Sequence, residues 1–150
     1  MTFPKTVISL SAADTESAGG ELAQLILSDS LPRFVALFGD LGVGKTAFVR
    51  GFTSVLAPKA KVKSPTFALV NQYKGDKVSV FHFDMYRIES EDELYSIGFF
   101  DYLNRRGICL VEWSENIEYA LPDEYFSLKI EKCPDKSEDE RKITLNLIKN

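Results

Sequence analysis

Two rhythms of apolar residues alternate along the chain. Strand-length runs, either continuous or alternating, fall at Thr6–Leu10, Arg33–Phe38, Phe67–Tyr73, Lys77–Phe83, Ile108–Glu112, Tyr125–Glu131 and Lys142–Ile148. Arg33–Phe38 (RFVALF) and Ile108–Glu112 (ICLVE) are apolar almost throughout, the pattern of strands covered on both faces. Helical spacing appears after Ser11 and Asp14, either of which could cap a helix that buries Leu22, Leu25 and Ile26. Gly19 and Gly20 weaken that helix and leave room for close packing near its first turn. Lys45–Leu56 sets Phe48, Phe52 and Val55 on one face, and Pro58 marks its end. Ser90–Ser96 opens a helix with Ser90 as cap and Glu93 three residues on, the spacing of a capping box.

The connections suggest how these elements combine. Lys74-Gly75-Asp76 joins two strands in a hairpin, and the charged segment Cys133–Arg141 is the loop of a second strand pair. The first part of the chain reads strand, helix, strand, loop, helix, while the middle and end add antiparallel strands. The expected fold is α/β, with a mixed sheet that is parallel at its centre, antiparallel additions, and helices on both faces. Residues 1–150 are expected to form a single domain.

Composition narrows the class. The chain has 150 residues, 45% of them hydrophobic, with 11 Phe, enough to fill a core without disulfides or a structural metal. A net charge of −4 argues against a protein whose main work is gripping a phosphate backbone. Lys59, Lys61 and Lys63, and the pair Arg105–Arg106, read as solvated surface. Cys109 lies in an apolar run and neither it nor Cys133 has zinc spacing. With no signal peptide and no apolar run of membrane length, a reduced, cytoplasmic setting and no membrane partner are expected.

One motif carries chemistry. Gly39-Asp40-Leu41-Gly42-Val43-Gly44-Lys45-Thr46 matches G-x-x-x-x-G-K-[ST] at every fixed position. Chance would produce the four fixed residues in about one chain of this length in two hundred. The motif also follows an apolar strand and opens a helical pattern, as a phosphate-binding loop must. Gly39 and Gly44 permit backbone angles closed to other residues, and Gly42 allows close approach to oxygen atoms. Backbone N–H groups then converge on an anion, and the helix from Lys45 through Ala47 adds its positive end. Lys45 places a cation on the β- and γ-phosphates, and the Thr46 hydroxyl suits Mg²⁺. The lack of an N-K-x-D base-reading motif favours ATP over GTP.

A phosphate loop needs carboxylates to hydrolyse anything. Ile108–Glu112 and Phe81-His82-Phe83-Asp84 are both strands that end in an acid. Glu112 and Asp84 are therefore candidates to hold Mg²⁺ or to polarise an attacking water; the alternative for each is a turn cap or a pairing with Arg87. His82, the single histidine, should face away from Phe81 and Phe83 and reads as a hydrogen-bonded structural residue rather than a catalytic base. Trp113 packs either beside the nucleotide or in ordinary core.

Together these residues resemble the TsaE family of small bacterial ATPases needed for threonylcarbamoyl-adenosine in tRNA. The resemblance rests on Gly39–Thr46 (GDLGVGKT), Ser64-Pro65-Thr66-Phe67, His82-Phe83-Asp84-Met85-Tyr86-Arg87 and Val111-Glu112-Trp113, and spans roughly residues 15–122. It implies a P-loop NTPase-like fold in which Gly39 to Thr46 bind phosphates and Thr46 and Glu112 bind Mg²⁺. Asp84 takes the place of the acidic residue needed for ATPase activity. Ser64–Phe67 form a switch-like segment near the γ-phosphate. Thr15, in Thr15-Glu16-Ser17-Ala18-Gly19, lies near the adenine, with Ala18 replacing a more usual leucine. The implied partner is the TsaB–TsaD complex, which modifies adenosine 37, so that tRNA is met only indirectly. Two other readings of the same loop are a small-molecule kinase and a nucleotide-sensing module without turnover. Against the first, the chain has little length for an acceptor pocket and no arginine-rich lid.

Overall fold

A computed structural model describes residues 2–39 and 44–150. Among them run β1 (Lys5–Ser9), α1 (Ala12–Ser28), β2 (Phe34–Phe38), α2 (Lys45–Leu56), β3 (Val70–Tyr73), β4 (Ser79–Asp84), α3 (Glu91–Ser96), α4 (Phe99–Leu103), β5 (Gly107–Glu112), β6 (Glu124–Lys132) and β7 (Arg141–Lys149). A 3₁₀ segment, Ser114–Ala120, follows β5. The strands form one sheet in the order β1-β7-β6-β2-β5-β4-β3. The inner four, β6, β2, β5 and β4, are parallel, and β1, β7 and β3 join antiparallel. This is the mixed α/β sheet expected from the chain's patterning.

Alternation along the strands explains the layers. Val35 and Leu37 of β2, Ile108 and Leu110 of β5 and Val80 of β4 share one core with Leu22, Ile26, Phe48 and Phe52 of α1 and α2. Phe34, Ala36, Phe81, Phe83, Cys109 and Val111 point the other way, onto Leu94 of α3, Phe99 of α4 and Ile117. Successive strand residues project to opposite faces, so a continuously apolar strand needs cover on both. No helix among the described residues is long and apolar enough to cross a membrane.

The helix starts follow local chemistry. Ser11 is the cap of α1, its Oγ accepting from Asp14 N–H, while Asp14 lies inside the helix and its Oδ2 accepts from Leu10 N–H. The second bond ends β1 at Ser9 rather than Leu10. Ser90 and Glu93 repeat the arrangement, with Glu93 reaching back to Glu89 N–H. Gly19 lies in the middle of α1, not its first turn, and is one of two glycines where α1 and α2 pack backbone to backbone. A Cβ there would meet Phe48 O at 2.2 Å, and one at Gly51 would meet Glu16 O at 1.9 Å.

Residues 67–69 are not strand. Leu69 N–H donates to Pro65 O at 2.7 Å, and Leu69 takes φ 69°, so a turn precedes β3. The short α4 and the 3₁₀ segment are further elements that periodicity did not single out.

Candidate functional site

The parallel strands bring their C-terminal ends to one edge, where ligands of such sheets bind. Leu37 pairs Glu112 across β2 and β5, and Glu112 pairs Asp84 across β5 and β4. Cross-strand partners share a face, and His82 shares Asp84's face two residues earlier. That face is the α2 side, so both carboxylates look toward the start of α2. Thr46, Lys45, Gly44, Asp84, Glu112, Trp113, Ser64 and Thr66 line one cleft of about 310 Å³.

Gly39 and Gly44 have φ 118° and 108°, the left-handed region that favours glycine. Asp40, Leu41, Gly42 and Val43, assigned above to phosphate binding, lie outside the described residues. Phe48 N–H closes the first turn of α2 onto Gly44 O at 3.2 Å, and no side chain caps the helix. The N–H groups of Lys45, Thr46 and Ala47 therefore have no acceptor within the helix, which makes this end electropositive. Ala47 itself is buried.

Lys45 is only 4% exposed. Its Nζ donates to Gly39 O at 3.0 Å and sits 4.8 Å from the Trp113 ring centroid. Among the described residues no carboxylate lies within ion-pair distance of it. A buried ammonium without an opposite charge is costly unless an anion joins it.

The acids are held differently. Asp84 Oδ1 accepts from Tyr86 N–H at 2.9 Å and Oδ2 from the Thr66 hydroxyl at 3.3 Å. It thus caps a turn and lines the cleft at once; Arg87 stacks on Phe67 instead, at 5.0 Å. Glu112 Oε2 lies 2.5 Å from His82 Nε2 inside the protein. Among the described residues no group of three or more His, Cys, Asp or Glu could hold a metal. Two carboxylates and a hydroxyl suit Mg²⁺ nonetheless, since that ion takes one or two carboxylates and completes its shell with phosphates and water.

Sequence reasoning left some supporting residues out. Asn116 Nδ2 donates to Met85 O at 2.9 Å and Tyr86 O at 3.3 Å, and Ser114 Oγ to Val111 O at 2.7 Å. These bonds seat the turn in which Trp113 takes φ 58° and leans on Tyr86. An asparagine inside a polar 3₁₀ segment carries no pattern that would have revealed this. Thr15 is buried on α1, its hydroxyl 2.7 Å from Ser9 Oγ, and is not among the residues lining the cleft. Lys59, Lys61 and Lys63 stand with Lys74 around a separate, open cleft.

Comparison with known proteins agrees with this layout. Residues 9–143 match the family model for the threonylcarbamoyl adenosine biosynthesis protein TsaE. The tRNA threonylcarbamoyladenosine biosynthesis protein TsaE of Bacillus subtilis is 40% identical over 116 residues, covering 77% of this chain and 70% of its own length. The protein of the same name from Haemophilus influenzae is 35% identical over 134 residues, covering 88% and 85%. The crystal structure of Bacillus subtilis YdiB superposes with a TM-score of 0.69 at 28% identity, covering all of this chain and 90% of that one. A family match over residues 9–143, with relatives 40% and 35% identical over most of the chain, makes the chain a member of the TsaE family of tRNA threonylcarbamoyladenosine biosynthesis proteins.

Proposed function

We propose that this TsaE-family chain binds ATP with Mg²⁺ and hydrolyses it, slowly when alone, to support threonylcarbamoylation of adenosine 37 in tRNA by the TsaB–TsaD complex in the cytoplasm. One observation carries the reading. A buried ammonium with no ion-pair partner among the described residues lines one cleft with two carboxylates at the start of a helix. A triphosphate would bring negative charge to that ammonium, and a divalent cation would offset the acids.

The residues divide the work. The amides of the glycine loop and of Lys45, Thr46 and Ala47 would bind phosphate oxygens, as would the Lys45 ammonium. Thr46 and Glu112 would hold Mg²⁺, which when bound neutralises phosphate charge. Asp84 would orient water and accept its proton as the oxygen attacks the γ-phosphorus and the bond to the β-bridging oxygen breaks. Thr66, bonded to Asp84, links that step to the segment around Ser64. No arginine lines the cleft among the described residues, so a partner would complete charge stabilisation.

Phosphate release measured with ATP and with GTP, with and without TsaB–TsaD and tRNA, tests this. ATP-selective release that rises with the complex is expected. No release under any condition would overturn it, and release that depends on an added small hydroxyl acceptor would point to a kinase.

A further inference from the structure

We propose that His82 is the positioning residue of this cleft. It fixes the rotamer of Glu112, and through Tyr73 it ties that carboxylate to the backbone just before Ser64. The inference rests on the hydrolytic reading above, because it concerns the support of a carboxylate given a role there.

His82 is fully buried on β4, yet it faces the α2 side rather than the aromatic core of Phe81 and Phe83. Its Nε2 is 2.5 Å from Glu112 Oε2. An ionised carboxylate can only accept, so with Glu112 ionised it is the Nε2–H tautomer of His82 that donates across this contact. The other Glu112 oxygen has no hydrogen bond among the described residues, and Glu112 lines the cleft. One oxygen is thus anchored and its neighbour left to serve the cleft, the usual arrangement for a ligand whose partner sets its orientation.

The support continues past the imidazole. The Tyr73 hydroxyl lies 3.5 Å from His82 Nδ1, and the two rings pack with centroids 6.1 Å apart. That hydroxyl accepts from Lys63 N–H at 2.9 Å and donates to Lys63 O at 3.0 Å, where Asn71 Nδ2 also donates at 3.0 Å. Lys63 immediately precedes Ser64, whose hydroxyl meets that of Thr66, and Thr66 reaches Asp84. These contacts follow one another from Glu112 round to Asp84, the His82–Tyr73 step being made by ring packing because the Tyr73 proton goes to Lys63 O. Glutamate has several rotatable bonds, so an untethered Glu112 would spend much of its time out of place.

The single histidine makes the pair directly visible, since the imidazole nitrogen and proton resonances of the chain belong to one residue. A slowly exchanging downfield Nε2–H signal is expected in wild type, and its loss in Glu112→Ala. In steady-state assays His82→Leu should lower kcat about 10–100-fold with KM for ATP within about two-fold, and His82→Gln, which keeps a donor, should recover most of it. Calorimetric ATP binding identifies the variants that remain folded. An imidazole signal indifferent to Glu112→Ala overturns the proposal, as does a folded His82→Leu with wild-type kcat. Should wild type release no phosphate, the hydrolytic reading and the positioning role for catalysis both fall, while the imidazole signal still decides whether the pair exists.

Discussion

Asp84 and Glu112 are register partners at the last position shared by two parallel strands. Their carboxylates therefore leave the sheet on one face and at one edge, both toward the start of α2. Their supports differ: Asp84 rests on a backbone amide and a hydroxyl, Glu112 on an imidazole.

That difference separates two substitutions. Asp84→Asn keeps an oxygen to accept from Tyr86 N–H, so the turn should survive while the proton acceptor is lost. Phosphate release should drop about 10²–10⁴-fold with ATP affinity nearly unchanged. Glu112→Gln should also lose turnover, and in addition should raise the Mg²⁺ concentration needed for half-maximal ATP binding. Calorimetry across a Mg²⁺ series distinguishes the two.

Lys45 is predicted to trade stability for binding. Replacing it by Met removes a buried charge without creating a large cavity, so the nucleotide-free protein should be no less stable in urea than wild type. Triphosphate affinity should fall about 10–100-fold, the worth of one charged hydrogen bond.

The contact between α1 and α2 gives a contrast of glycines. Gly51→Ala would drive a methyl group into the backbone of Glu16 and should cost about 1–3 kcal/mol or more. At Gly20 the nearest atoms would be 3.5 and 3.6 Å away, so Gly20→Ala should stabilise by up to about 1 kcal/mol through helix propensity. Chemical denaturation of both variants checks the sign.

Burial pushes the Cys109 thiol from 9.0 up to about 12. Between those values the unfolded chain has released the proton and the folded chain still holds it. Unfolding then becomes easier as pH rises, by about 1.4 kcal/mol per pH unit from this group. The contribution is intact below pH 9, and its alkaline loss should disappear in Cys109→Ala. Under native conditions iodoacetamide should label Cys133 and leave Cys109 untouched.

Continuous apolar runs made β2 and β5 legible as the covered centre of a sheet, and helical spacing made α2 legible down to its end at Leu56. Their physics is local. The order of strands is not local, because β1 pairs β7 from the opposite end of the chain. Leu69 takes an angle that a branched apolar residue ordinarily avoids, so no propensity pointed to the turn before β3. Lys45, Thr46, Asp84 and Glu112 were readable as candidates from residue type and place at strand or helix ends. That Glu112 meets His82 was not readable, since it requires both the register and the facing of two strands distant in sequence.

The edge pairing of β1 has a consequence for biosynthesis. β7 must leave the ribosome before β1 has a strand to pair with, so β1 settles into the sheet only after every other strand of that sheet has been made. Until then its backbone is an open edge, and loss of β7 by truncation or proteolysis would release β1 from the sheet with it.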